Sequence, residues 1–290
     1  MNPYHKLLLT IAFFCSALFG AHGQNYFRSV ASGNWNATST WQSSPDNITW
    51  TPAVSTPSSS DLAITIQSPN SVTINSTITI DEVTVNLGAT LIITGAITLT
   101  INNGLGIDLI NNGTINDNLT TVGGSIAFPA GAKWSMSSGA TLLKTTGSAN
   151  NIWQTAYQGG IATIPATANW ILRRTAGGNP PISTTVAGGA YYPNLIIENA
   201  LAGTWVTTDG STFTGSTGYP IIKGNFDLGG TGIGTVDFLN AQTNASPTRI
   251  IGNLLIRTGS VFRNQGTGIQ LESNLTVNGT LNYSGTSKVL

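Results

Sequence analysis

Eleven carboxylates carry whatever acid–base chemistry this chain could perform: Asp46, Asp61, Asp81, Glu82, Asp108, Asp117, Glu198, Asp209, Asp227, Asp237 and Glu272. Glycoside hydrolysis needs two carboxyl groups facing each other across the scissile bond. Asp81 and Glu82 are adjacent, so in a strand they point to opposite faces. Asp227 and Asp237 could lie on neighbouring strands. A β-helical polysaccharide lyase would add a Lys or Arg base, and Lys223 near Asp227 is the nearest match. The one Cys (Cys15) and the two His (His5 and His22) all fall at the start of the chain. If that start is removed, a Ser-His-Asp triad, a Cys-His nucleophile and a His-based zinc site are excluded. No Gly-x-x-x-x-Gly-Lys-Ser/Thr phosphate loop is present. The expectation is a non-enzymatic protein with no catalytic residue, no metal site and no cofactor. A polysaccharide-active lyase or hydrolase is the alternative.

Two other sets of residues could bind rather than react. Trp35, Trp41 and Trp50 stand close together in an otherwise polar stretch. They read as the cap that a repeat protein needs over its first turn. The competing reading is a platform on which sugars stack. Thr77 and Thr79 are followed 21 residues later by Thr98 and Thr100. Stacked on one face, these would form a flat threonine array able to meet ice or a crystalline polymer. Threonine also simply suits an exposed strand position.

The elements that position these residues are short β runs. Charged residues make up 8% of the 290-residue chain, hydrophobic ones 40%, and glycine occurs 34 times. Disordered chains have the opposite balance. From Asp61 the runs read LAITI, SVTI, TITI, EVTV, TLIIT and ITLTI, with alternation inside each. In Thr77–Ile80 the two isoleucines point inward and the threonines outward. Gly88, Gly113 and Gly139 each precede a Thr-containing run at nearly constant spacing, which suits one turn of three strands and three corners. Later, Asn194, Asn225, Asn253 and Asn274 each open a small-Asn-apolar-x-apolar run, and stacked Asn can form ladders between turns. The expected architecture is all-β: a right-handed parallel β-helix, or β-solenoid, with an aromatic-rich N-terminal cap. About ten coils at about 4.8 Å each would make a rod roughly 50 Å long.

The chain divides accordingly. Residues 1–23 read as a secretory signal peptide: His5 and Lys6 precede the apolar run Leu7–Phe19, which is too short to span a bilayer, and Ala21-His22-Gly23 offers small residues for cleavage. Residues 24–60 form the cap and 61–148 the first coils. Residues 149–190 read as irregular coils or an excursion, with Arg173-Arg174 as a solvated edge. Residues 191–290 form further coils with an uncapped end, where the chain is expected to continue or to be covered by a partner. After cleavage no membrane span and no disulfide are expected. A formal net charge of zero argues against nucleic acid as a partner. Asn-x-Ser/Thr sequons, including Asn36, Asn112 and Asn278, would matter only in a host that glycosylates secreted proteins.

The order Ser32-Gly33-Asn34-Trp35, Thr40-Trp41, Asp61-Leu62-Ala63-Ile64-Thr65-Ile66 and Gly88-Ala89-Thr90-Leu91 resembles the opening of secreted β-helical repeat proteins from bacteria with type IX secretion. It is also similar to the G8-type β domain. The resemblance covers most of the chain and implies a secreted, extracellular or cell-surface location. Such relatives end in a sorting domain, which is not visible in this sequence. The function expected is that of an adhesin-like or structural stalk, presenting Thr, Asn and Ser faces to surface glycans or other proteins.

Overall fold

The computed structural model describes residues 24–119, 124–145, 161–176, 190–207, 213–215, 220–242, 247–265, 268–283 and 288–289. The proposed leader, residues 1–23, and Asp209 lie outside them. The chain is all-β: its described residues hold one 3₁₀ turn, Thr38–Thr40, and no α-helix. No helix among them is long and apolar enough to cross a membrane, which says nothing of β-barrels.

Strand after strand pairs in parallel with the strand one repeat later. The longest sheet has ten members, running through Gly33–Asn34, Ser71–Ile74, Thr90–Gly95, Thr114–Leu119, Thr141–Thr145, Asn169–Arg174, Asn194–Asn199, Phe226–Leu228, Leu254–Ile256 and Leu275–Val277. A sheet through Tyr26–Ser29, Ala63–Ile66, Val83–Val85, Leu109–Asn111, Trp134–Met136 and Ile161–Thr163 precedes it in each repeat. A five-stranded sheet that begins at Ala190–Tyr192 takes over that place in the later repeats. A third position is filled first by Ile78–Ile80, Thr98–Ile101 and Ser125–Ala127, and later by Thr204–Val206, Thr235–Gln242, Val261–Asn264 and Thr280–Tyr283. Within the stretch 149–190, Ile161–Thr163 and Asn169–Arg174 join these sheets like any other strands.

Alternation within each strand decides what is buried. In the ten-stranded sheet one inward column runs Val72, Leu91, Ile115, Leu142, Trp170, Leu195, Phe226, Leu254 and Leu275. All but the last are buried. Each full burial of such a side chain stabilises by about 1.5–3 kcal/mol relative to exposure, so a register slip would forfeit many at once. Aromatic contacts fill the wider places: Trp134 stacks on Trp170 at 6.0 Å, and Phe226, Phe238 and Phe262 meet at 5.6–5.9 Å.

The corners carry the turn chemistry. Gly88 and Gly139 have φ of 80° and 77°, a region that side-chain-bearing residues avoid. The Asn repeat forms a ladder outside the core: Asn194 Oδ1 accepts from Asn225 N, Asn225 Oδ1 from Asn253 N and Asn253 Oδ1 from Asn274 N, at 2.8, 2.9 and 3.2 Å. These partners are 31, 28 and 21 residues apart. The strands stay in register while the intervening loops change length.

Pairing changes sense at the start. Trp41–Ser44 lies antiparallel to Tyr26–Ser29, and Thr51–Pro52 antiparallel to Trp41–Ser44. This small meander covers the outer edge of the first sheet.

Candidate functional site

The three tryptophans of the opening segment part company. Trp35 and Trp41 are buried, 5.0 Å apart and edge to face. Their indole N–H groups donate to Pro57 O and Trp35 O at 2.9 and 2.8 Å. Phe27 meets Trp41 at 6.5 Å. This pair forms the cap and offers no ring face to a ligand. Trp50 is half-buried and stands at the surface, with the Arg28 guanidinium 4.3 Å from its ring centroid.

Around Trp50 lies a groove of about 280 Å³, lined by Tyr26, Arg28, Asn47, Trp50, Thr65 and Gln67 with Phe27 and Ala63 beneath. Its floor follows from strand register. Tyr26 pairs with Ala63 and Arg28 with Thr65, so their outward side chains share one face. Its wall is the loop 45–50. Ser44 Oγ donates to Asp46 Oδ1 at 2.8 Å, and the Ile48 and Thr49 amides donate to the same oxygen at 2.9 and 2.8 Å. Those donors, led by the Thr49 amide, hold the Asp46 carboxyl down at about 2. Arg28 Nε and Nη2 both donate to Gln42 Oε1, at 2.9 and 2.8 Å. Gln42 is the cross-strand partner of Arg28, so the strand pairing itself orients the guanidinium.

The threonines stack as their spacing suggests. Thr79 pairs with Thr100, and Thr98 N donates to Thr77 Oγ1 at 3.1 Å. Ser125 Oγ continues the column to Thr98 Oγ1 at 3.1 Å, while Ala127 follows Thr100. The array is thus two rungs of threonines, with the Thr77 hydroxyl oxygen taken by the Thr98 amide and the Thr98 hydroxyl oxygen by Ser125.

Among the carboxylates, Asp81 and Asp108 come together where the third strand of one repeat turns into the first of the next. Asp108 accepts from Gly104 N and Lys133 N at 2.7 and 2.6 Å, and Asp81 from Glu82 N at 2.9 Å. Burial, and then the neighbouring Asp108, push the Asp81 carboxyl up to about 6, against the pull of the Glu82 amide. Such a pair could share a proton, which is the chemistry of a weak acid near neutrality. Of these donors, the Lys133 amide also ties one repeat to the next. Nothing in the spacing singled this pair out beforehand; the usable signal was that each Asp lies just before a first-position strand, Val83–Val85 or Leu109–Asn111.

Two suggested pairings do not form. Asp227 is bound to Arg257 at 2.7 Å and Asp237 to Arg263 at 2.5 Å, on different sheets. Lys223 lies over the Tyr191 ring at 4.8 Å rather than beside Asp227. Arg173 pairs with Glu198 at 2.6 Å across adjacent strands. Among the described residues there is no cluster of three or more His, Cys, Asp or Glu suited to a metal ion.

Comparison of the chain with protein-family models, curated proteins and solved structures gave no match.

Proposed function

We propose that the parallel sheets are the faces of one right-handed parallel β-helix, and that the protein is a secreted, non-enzymatic scaffold of adhesin-like type. Right-handedness is the form that parallel crossovers take almost without exception. The observation that carries the scaffold reading is how outward polar groups are used. The Asn194–Asn225–Asn253–Asn274 ladder, the Thr77–Thr98–Ser125 column and the Arg173–Glu198 pair link one repeat to the next. Side chains spent on neighbouring repeats build a stiff surface rather than a reaction centre. Secretion, the leader and the likeness to type IX-secreted and G8-type proteins belong to the same proposal. Surface glycans or other proteins are the partners it would meet.

A second reading, a polysaccharide-active enzyme, is favoured by the Asp81–Asp108 pair alone. Incubating the chain from Gln24 onward with acidic and neutral polysaccharides separates the two. Surface labelling of producing cells, with no release of reducing ends or unsaturated uronates, is the expected result. Product release that Asp81→Asn abolishes would replace the scaffold with an enzyme.

A further inference from the structure

We infer that the groove beside Trp50 is a binding site for a carboxylate-bearing sugar, a uronate unit of an acidic glycan, with Arg28 as its anchor. The inference deepens the binding half of the scaffold reading and rests on it only in supplying an extracellular setting.

The first support is the state of Arg28. Arg173, Arg249, Arg257 and Arg263 each hold a carboxylate from a neighbouring repeat. Arg28 holds none among the described residues. Asp46, on the loop that walls the groove, has its carboxylate engaged by Ser44, Ile48 and Thr49. The guanidinium is therefore half-buried and without a carboxylate partner among the described residues. It is also fixed, by Gln42 on one side and the Trp50 ring on the other. A planar donor held this way loses little freedom when it takes a carboxylate.

The second support is the company it keeps. Tyr26, Asn47, Thr65 and Gln67 bring hydroxyl and amide groups to the same groove, and these suit the vicinal hydroxyls of a pyranose. Trp50, with the guanidinium over its ring, leaves its remaining accessible edge as apolar area beside the sugar. At about 280 Å³ the groove sits at the small end of ligand sites, enough for one sugar residue of a longer chain. One fixed positive charge fits one carboxylate. It does not make the clustered basic surface that polyphosphates require.

The test is titration of the folded chain from Gln24 onward with tri-galacturonate and with the matched neutral galactose trimer. Calorimetry gives the affinity, and the Trp50 indole N–H resonance gives the place. Expected are uronate binding that weakens with salt, perturbation of Trp50, and an affinity roughly tenfold or more above the neutral trimer, as a charged hydrogen bond allows. Arg28→Gln should lose that margin, and Arg28→Lys should recover little of it because the fork is gone. Equal binding of the two trimers, unchanged binding by Arg28→Gln, shifts away from Trp50, acetate matching the trimer, or no binding at all would each overturn the inference. Should Arg28→Gln fail to fold, the parent's trimer preference and the Trp50 shift still decide it. None of these outcomes involves product release, so the scaffold reading stands or falls separately.

Discussion

Lys144 sits directly beneath Asp117 in an inward column of the ten-stranded sheet, its Nζ 2.8 Å from Asp117 Oδ1, with both side chains buried. The column above and below is aliphatic: Ile93 precedes Asp117 and Leu172 follows Lys144. An ion pair thus replaces two apolar rungs. Asp117 Oδ1 also accepts from Leu119 N at 3.2 Å, while Asp117 Oδ2 is buried without a hydrogen-bond partner among the described residues.

Desolvating two charges consumes much of what their attraction returns, so a buried pair need not stabilise its fold. Removing one partner strands the other. Lys144→Met alone is expected to lower stability by about 3–5 kcal/mol, whereas Asp117→Leu combined with Lys144→Met should restore most or all of it. Urea unfolding of the two variants and the parent measures this. A double variant as weak as the single one would show that the pair stabilises in its own right.

Asp81 predicts a specific pH response. Its folded carboxyl stands at about 6, above the ordinary 3.8, so the folded state holds this proton more tightly than the unfolded chain. Stability from this group is complete below pH 3.8, falls as pH rises from there to about 6, and is level above. Asp46 works in the opposite sense and in another window. Its carboxyl is held at about 2, so its contribution is present above 3.8 and lost as pH falls through 2. Denaturant midpoints for Asp81→Asn should lack the decline seen in the parent between about pH 4 and about pH 6. A decline of the same size in both proteins would assign it to other groups.

The tryptophans should separate in stability as they do in space. Trp41→Ala opens a cavity between Phe27 and Trp35 and is expected to cost about 3–5 kcal/mol. Trp50→Ala removes only a half-exposed ring and its cation–π contact, about 1 kcal/mol or less. Thermal unfolding of both variants checks the order, and a reversal would move the cap from Trp41 to Trp50.

Much of the fold was legible because two rules act locally. Alternation in Thr77–Ile80 and the small-Asn-apolar runs mark which way side chains point and where corners fall, and the Asn spacings match the ladder partners. The parallel all-β character followed from these. The site was less legible. Trp35, Trp41 and Trp50 are equivalent as letters, and only the antiparallel turn through Trp41–Ser44 decides that two go inward and one outward. Lys144 falls on an inward position of an alternating run, where a charge reads as an error until Asp117, 27 residues earlier, is seen opposite it. Arg28 gives no sign in sequence of being left without a carboxylate, because that depends on where all the others go.

The short meander at the start has a consequence for self-association. The outermost strand it presents is two residues long, Thr51–Pro52, and proline has no amide hydrogen to lend. A second molecule arriving at that margin finds almost no ladder to extend. Copies of this chain can therefore crowd together without templating one another into fibres from that side.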